Sequence, residues 1–209
     1  MTELAVSRKH GETRDKLLDA GLRLFSEKGF EGTSVMHIEA AVGLKPGNGS
    51  FYRHFKSKEA LMEAVVRREI ERVRSWRIAA AGFSTGERGR EKYRQEFLQS
   101  LEAMEAIKDL INLLAREYGQ GRFPELMAEL RALLLDEGVS VFREEYRASM
   151  KQGVLREMDA RILSSIMMSS LVGYHLANMY FGCEPGGVNR EEFTEGLVEL
   201  MMKQKGASS

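Results

Sequence analysis

The sequence predicts an all-α fold, and three observations carry the prediction. Apolar residues recur at three- and four-residue spacing along most of the chain, no segment alternates apolar with polar residues, and glycine and proline mostly fall between the periodic segments. With 43% hydrophobic and 30% charged residues in 209, there is apolar material for a packed core and charge for an ordinary globular surface.

The first helix is expected over 14–28, where Leu17, Leu18, Gly21, Leu22, Leu24 and Phe25 share one side and Thr13 serves as N-cap. Gly29 should stop it in a left-handed conformation, with Phe30 folding back on the last turn. Thr33 or Ser34 caps a shorter helix that turns Val35, Ile38 and Ala41 inward and ends at Gly43. The run GLKPGNGSFYRHF (43–55) then breaks the helical pattern. Lys45 precedes proline and should be extended, Pro46–Gly47 should turn the chain, and a very short helix should begin between Gly47 and Ser50 with Asn48 as its cap.

Ser57 caps a long helix striped by Leu61, Met62, Val65, Val66, Ile70 and Val73, with Glu59 favourably placed at its positive end. GFSTGERG (82–89) is a loop and the natural domain boundary. Beyond it Tyr93, Phe97, Leu101 and Met104 make one stripe, and DLINLLAREYG (109–119) continues the helical reading. Pro124 suits the first turn of a helix running to about 151, which Gly153 ends. Asp159 caps a helix of about 160–181, CEPGG is a loop, and Asn189 with Glu192 makes a capping-box start for the last helix.

Several classes are excluded at this level. One cysteine, Cys183, and 3 prolines argue against a disulfide framework and for a reducing, cytoplasmic setting. The start MTELAVSRKH has no apolar signal region, and no run approaches the ~18 apolar residues of a membrane span. The four histidines are scattered, HIEAA lacks the second histidine of a zinc helix, and KPGNGS follows a helix and lacks the GK[ST] end of a phosphate loop. No enzyme, metal site or cofactor is therefore expected. The formal net charge of +0 conceals a split: residues 1–90 hold 17 basic against 12 acidic side chains, so a polyanion would meet the N-terminal end.

A helix followed by two short helices around a tight turn is the helix-turn-helix arrangement, whose second short helix can enter the DNA major groove. Arg53, His54 and Lys58 can reach phosphates, Ser50 and Tyr52 offer hydroxyls, and Asn48 can pair bidentately with adenine. Phe51 and Phe55, four apart, should pin the segment to the core, leaving Asn48 and Tyr52 facing outward. The run TRDKLLDAGLRLFSEKGFEGTSVMHIEAAVG, followed by SFYRHFKSKEALMEAVV, resembles the tetracycline-repressor (TetR) family of bacterial transcription regulators across about residues 13–66. The resemblance implies phosphate contacts from Thr33, Tyr52 and Lys58 and base contacts from Lys45, Asn48, Gly49 and Ser50. One departure stands out: Gly43 and Tyr52 enclose eight residues, two more than the family pattern, with the excess inside KPGNG.

The same resemblance implies a DNA-binding domain at 1–56, a connecting helix at about 57–81, and a ligand-binding and dimerisation domain at 82–209. Helix 162–181 is almost uncharged, and Ser165, Ser169, Gly173 and Ala177 would let a second helix approach closely. With Phe193, Leu197, Leu200 and Met201 they define the expected dimer interface, a four-helix arrangement. Candidate pocket residues for a small apolar or amphipathic effector are Tyr93, Phe97, Leu101, Met104, Leu114, Tyr118, Met127, Tyr174, His175 and Asn178. His175 and Asn178 either orient a ligand or hydrogen-bond across the dimer. The expected function is a homodimeric repressor on a near-palindromic duplex operator. The rivals are an effector-free architectural DNA-binding protein and a helical protein-interaction module.

Overall fold

The computed structural model describes residues 3–81 and 89–203, so most of the expected loop at 82–89 lies outside the described residues. The elements are α1 (Glu3–Lys28), α2 (Val35–Ala41), α3 (Lys58–Ala81), α4 (Arg90–Ala106), α5 (Lys108–Glu117), α6 (Pro124–Arg131), α7 (Gly138–Lys151), α8 (Ala160–Phe181) and α9 (Arg190–Met201). Short 3-10 and π-helical turns join some of them, and Leu155 pairs with Met202 in an isolated antiparallel bridge. The fold is all-α. No helix among the described residues is long and apolar enough to cross a membrane.

The chain divides into two compact units, Met1–Ala79 with Lys108–Arg131, and Ala80–Ile107 with Ala132–Ser209. By packing, Lys108–Arg131 thus go with the first unit, whereas the expected division at 82 puts them with the second. The reason is burial. Leu110 and Leu113 of α5 are buried, α5 packs on α1, and the Glu117 carboxylate accepts the Phe30 N–H at 2.9 Å.

In the first unit, Leu17, Leu18, Leu24 and Phe25 of α1 are buried, as are Leu61, Met62, Val65, Val66 and Ile70 of α3. Removing such apolar area from water is the main driving force for the packing. Helix α1 begins at Glu3, so Thr13 lies within it rather than capping it. Residues 3–13 have no apolar stripe, but they contain no proline, and a helix already nucleated downstream extends at little cost. In α2, Ile38 is the buried apolar residue, while Val35 is half-buried and Ala41 exposed, contrary to the expected stripe. Seven residues give fewer than two full turns, so only one position per turn faces inward.

In the second unit, α4, α7, α8 and α9 enclose a core containing Tyr93, Phe97, Leu101, Tyr146, Met167, Leu171 and Tyr174. The expected punctuation is present. Asp159 accepts the Arg161 N–H at 2.8 Å, Asn189 and Glu192 form a reciprocal capping box, and Gly153 has φ 72° after α7. A polar cluster lies between α4 and α7. Tyr93 donates its hydroxyl hydrogen to Ser149 Oγ at 2.6 Å, and Lys92 Nζ donates to Glu145 at 2.6 Å and lies 3.6 Å from Glu96. Burial, and then the neighbouring Glu145, pushes the Glu96 carboxyl up to about 7.

A carboxyl that keeps its proton longer when folded makes stability fall as pH rises, because the unfolded state releases that proton first. Unfolding midpoints should therefore drop as pH rises from about 4.5 to about 7, with the full contribution present only below that range. Glu96→Gln should flatten that part of the profile in urea titrations. The same fall in wild type and variant would count against the assignment.

Candidate nucleic-acid interface

The interface is built on the corner between α1 and α2. Gly29 has φ 74° and closes α1 through its N–H to Phe25 O at 3.0 Å. Phe30 then folds back, its ring 5.7 Å from that of Phe25. Every part of Phe30 is engaged. Its N–H goes to Glu117, its carbonyl accepts Lys58 Nζ at 2.7 Å, and its ring takes Phe123 edge-on at 5.2 Å and the Lys58 ammonium at 4.0 Å. Lys58 also donates to Thr33 O at 2.9 Å. Ser34, not Thr33, is the N-cap of α2, and His37 completes the capping box by accepting the Ser34 N–H.

Two expected phosphate contacts are therefore occupied otherwise. Thr33 is 0% exposed, and its hydroxyl is directed at Leu24 O (3.1 Å) and Gly29 O (2.9 Å), closing the corner from inside. Lys58 holds two carbonyls of that corner. Both side chains tie the short helix to its neighbours.

Beyond α2, Asn48 N–H reaches Lys45 O at 3.3 Å while Gly47 has φ 77°. A proline at the second position and a left-handed glycine at the third are the signature of a type II turn. Here lies the feature the sequence reading missed. Glu39 is 1% exposed, and its carboxylate accepts the N–H of Gly47 at 2.8 Å and of Phe51 at 3.1 Å. One acidic side chain from α2 thus staples both ends of the lengthened turn. A carboxylate in HIEAA reads as a surface charge. Only the fold-back of residues 44–51 turns it inward.

The expected short helix starts later than predicted. Its body is a single 3-10 turn, Phe51–Arg53, with Ser50 in the cap position and no side-chain cap bond, so Asn48 is not its cap. The cause is local: Gly47 and Gly49 (φ 69°) are left-handed, and the amides of Gly47 and Phe51 point at Glu39 rather than along a helical ladder. Phe51 and Phe55 are buried with rings 5.8 Å apart, as the spacing required. Lys45, Asn48, Tyr52 and Arg53 are exposed, Tyr52 at 59%, while Gly49, Ser50 and His54 are half-buried. The result is an exposed, basic and hydrogen-bonding loop on a rigid three-helix base.

The pocket candidates are not brought together within one unit. Leu114, Tyr118 and Met127 belong to the first unit, with Tyr118 exposed, whereas Tyr93, Phe97, Leu101, Met104, Tyr174, His175 and Asn178 belong to the second. Asn178 donates to Tyr174 O in its own helix at 3.0 Å, and His175 is buried. Of the interface candidates, Ser165, Ser169, Gly173 and Leu200 are exposed, and Ala177 is half-buried. Leu197 and Met201 are buried in their own core, and Phe193 stacks on Tyr174 at 4.2 Å, because α9 turns that face towards α4 and α8. Ile162 and Ile166 extend the exposed face of α8.

Helix, turn and short segment in this order make the helix-turn-helix arrangement. Residues 17–65 match the family model described as bacterial regulatory proteins, tetR family. UidR of Escherichia coli (strain K12), an HTH-type transcriptional regulator, is 40% identical over 60 residues, which are 29% of this chain and 30% of that protein. KstR2 of Rhodococcus jostii (strain RHA1), an HTH-type transcriptional repressor, is 29% identical over 143 residues, 68% of this chain and 65% of that protein. These matches span less than two thirds of either relative. A transcriptional regulator from Saccharomonospora viridis, solved in complex with choline, shares the fold at TM-score 0.71 and 17% identity, covering 93% of this chain and 100% of that one. The relatives are named as regulators rather than enzymes, in agreement with the expectation from motifs.

Glu39→Ala should free the turn while leaving the helices intact. Hydrogen exchange at the Gly47 and Phe51 amides should quicken by at least about tenfold, the equivalent of one lost charge-assisted hydrogen bond. Unchanged protection at both amides would show that something other than Glu39 holds the loop.

Proposed function

We propose that the chain is a cytoplasmic, homodimeric transcriptional repressor that leaves a near-palindromic duplex operator when a small molecule binds its second unit. The observation that carries this reading is the exposed set Lys45, Asn48, Tyr52 and Arg53 on a tetR-family head. In the reading, Arg53 and Tyr52 meet phosphates, with His54 beside them at the edge of the contact. Lys45, Asn48, Gly49 and Ser50 lie along base edges, where left-handed glycines let the backbone come close to the duplex. Thr33 and Lys58 act indirectly, by fixing the corner from which the loop projects.

Two heads on one operator require a dimer, with reading segments about 34–36 Å apart on successive major grooves. The exposed face of α8, where Ile162, Ile166, Ser169 and Gly173 recur at helical spacing, suits an isologous contact, with Leu200 of α9 beside it. The choline-bound neighbour and the repressor relative support a ligand-responsive repressor over an architectural protein. An effector can act only by binding the released and DNA-bound states unequally.

Duplex binding by the full chain should weaken steeply with salt. Arg53→Ala should flatten the plot of log K against log salt by about 0.9, one phosphate contact, and Asn48→Ala should instead change which bases are selected from a randomised duplex pool. A salt-independent affinity would remove DNA as the partner. Ile166→Glu should halve the molar mass seen by light scattering and sharply weaken duplex binding. A mass unchanged from wild type would move the dimer contact elsewhere.

A further inference from the structure

The second unit buries two polar atoms that have no hydrogen-bond partner among the described residues, and both belong to the cluster between α4 and α7. One is the hydroxyl of Tyr146, a residue that is 0% exposed, and the other is Glu96 Oε2. Buried groups of this kind are normally satisfied, so each of them calls for a partner. The neighbours are already committed: the Tyr93 hydroxyl donates to Ser149, and Lys92 donates to Glu145. The Tyr146 ring meets Tyr93 of α4 edge-on, and burial, then the Glu145 and Glu96 charges, hold its phenol up.

Charge decides what kind of partner fits. One ammonium, Lys92, faces two carboxylates, Glu96 and Glu145, so above about pH 7, where Glu96 gives up its proton, one negative charge is in excess. An anion would add to the excess, and a neutral donor would leave it in place. A cation bearing N–H groups neutralises it and supplies a donor to Glu96 Oε2 and another to the phenol oxygen. Among the described residues no group of His, Cys, Asp and Glu is arranged to hold a metal ion, and the surroundings are aromatic. Phe142 stacks on Tyr146 at 5.7 Å and Tyr93 meets it edge-on at 6.0 Å. Such ring faces favour an organic cation and its hydrocarbon stem.

We propose that Glu96, Glu145 and Tyr146 form the polar end of a binding site for a protonated organic amine, whose ammonium donates to Glu96 Oε2 and the Tyr146 hydroxyl while Lys92 stays on Glu145. The proposal rests on the effector reading above and gives that effector a chemical class. The sequence hid it, because Lys92 and Glu96 at i and i+4 read as an exposed helix pair.

The test is calorimetric titration of the full chain with n-hexylamine, n-hexanol and n-hexanoate at a pH of about 8, where amines are charged. Hexylamine should bind at least about tenfold more tightly than hexanol, with hexanoate weaker still. Glu96→Gln, which keeps the shape of the side chain, should cost hexylamine about tenfold, and Tyr146→Phe about threefold, with hexanol binding unchanged. Equal binding of hexanol and hexylamine would reduce the site to an apolar cavity and overturn the proposal. So would an unchanged hexylamine affinity in Glu96→Gln, or no hexylamine binding at millimolar concentration. Salt-dependent duplex binding is measured separately without amine. Its loss would overturn the regulator reading, whereas its presence with no amine binding would overturn the amine site alone.

Discussion

Phe30 is the point on which the helix-turn-helix head depends. Its amide, carbonyl and ring are each held by a different element: Glu117 from α5, the Lys58 ammonium from α3, and Phe25 from α1. A backbone amide buried away from water must find a partner, and here that partner is a carboxylate 87 residues away in sequence rather than a helical carbonyl. Together these contacts hold the corner between α1 and α2. The whole reading loop takes its position from that corner.

Glu39 does for the loop what Phe30 does for the corner. The chain between α2 and α3 has too many glycines to form a stable helix, and it projects towards solvent, where loops gain little from hydrophobic burial. Phe51 and Phe55 anchor one end in the core. The other end would be left to thermal motion without the Glu39 carboxylate on Gly47. The Glu39 carboxylate is buried and shared with two amides.

Much of this was legible in the residues. Helix punctuation by Gly29, Gly43, Ser57, Asp159 and Asn189, and the apolar stripes of α3 and α4, follow from local rules that need no knowledge of the fold. What escaped were the contacts made between residues far apart in sequence. Glu39, Glu117 and Glu96 look alike in a sequence, each a charge on a helix, and only tertiary packing turns them inward. Thr33 and Lys58 were singled out by the resemblance, and what the fold adds is that both complete the corner's hydrogen bonding. Leu197 and Met201 were misplaced because an apolar helix face does not declare whether it meets its own chain or another copy.

A reading segment built as a stapled turn differs in kind from one built as a helix. A helix offers bases a fixed ladder of positions, so changing its length by one residue rotates everything beyond it. The turn from Lys45 to Ser50 is fixed at its two ends and open between them. Residues can be added or removed there without rotating Phe51, Tyr52 or Arg53. If the loop reads DNA as proposed, target choice can therefore diversify by loop length as well as by side chain, with the helical base left as it is.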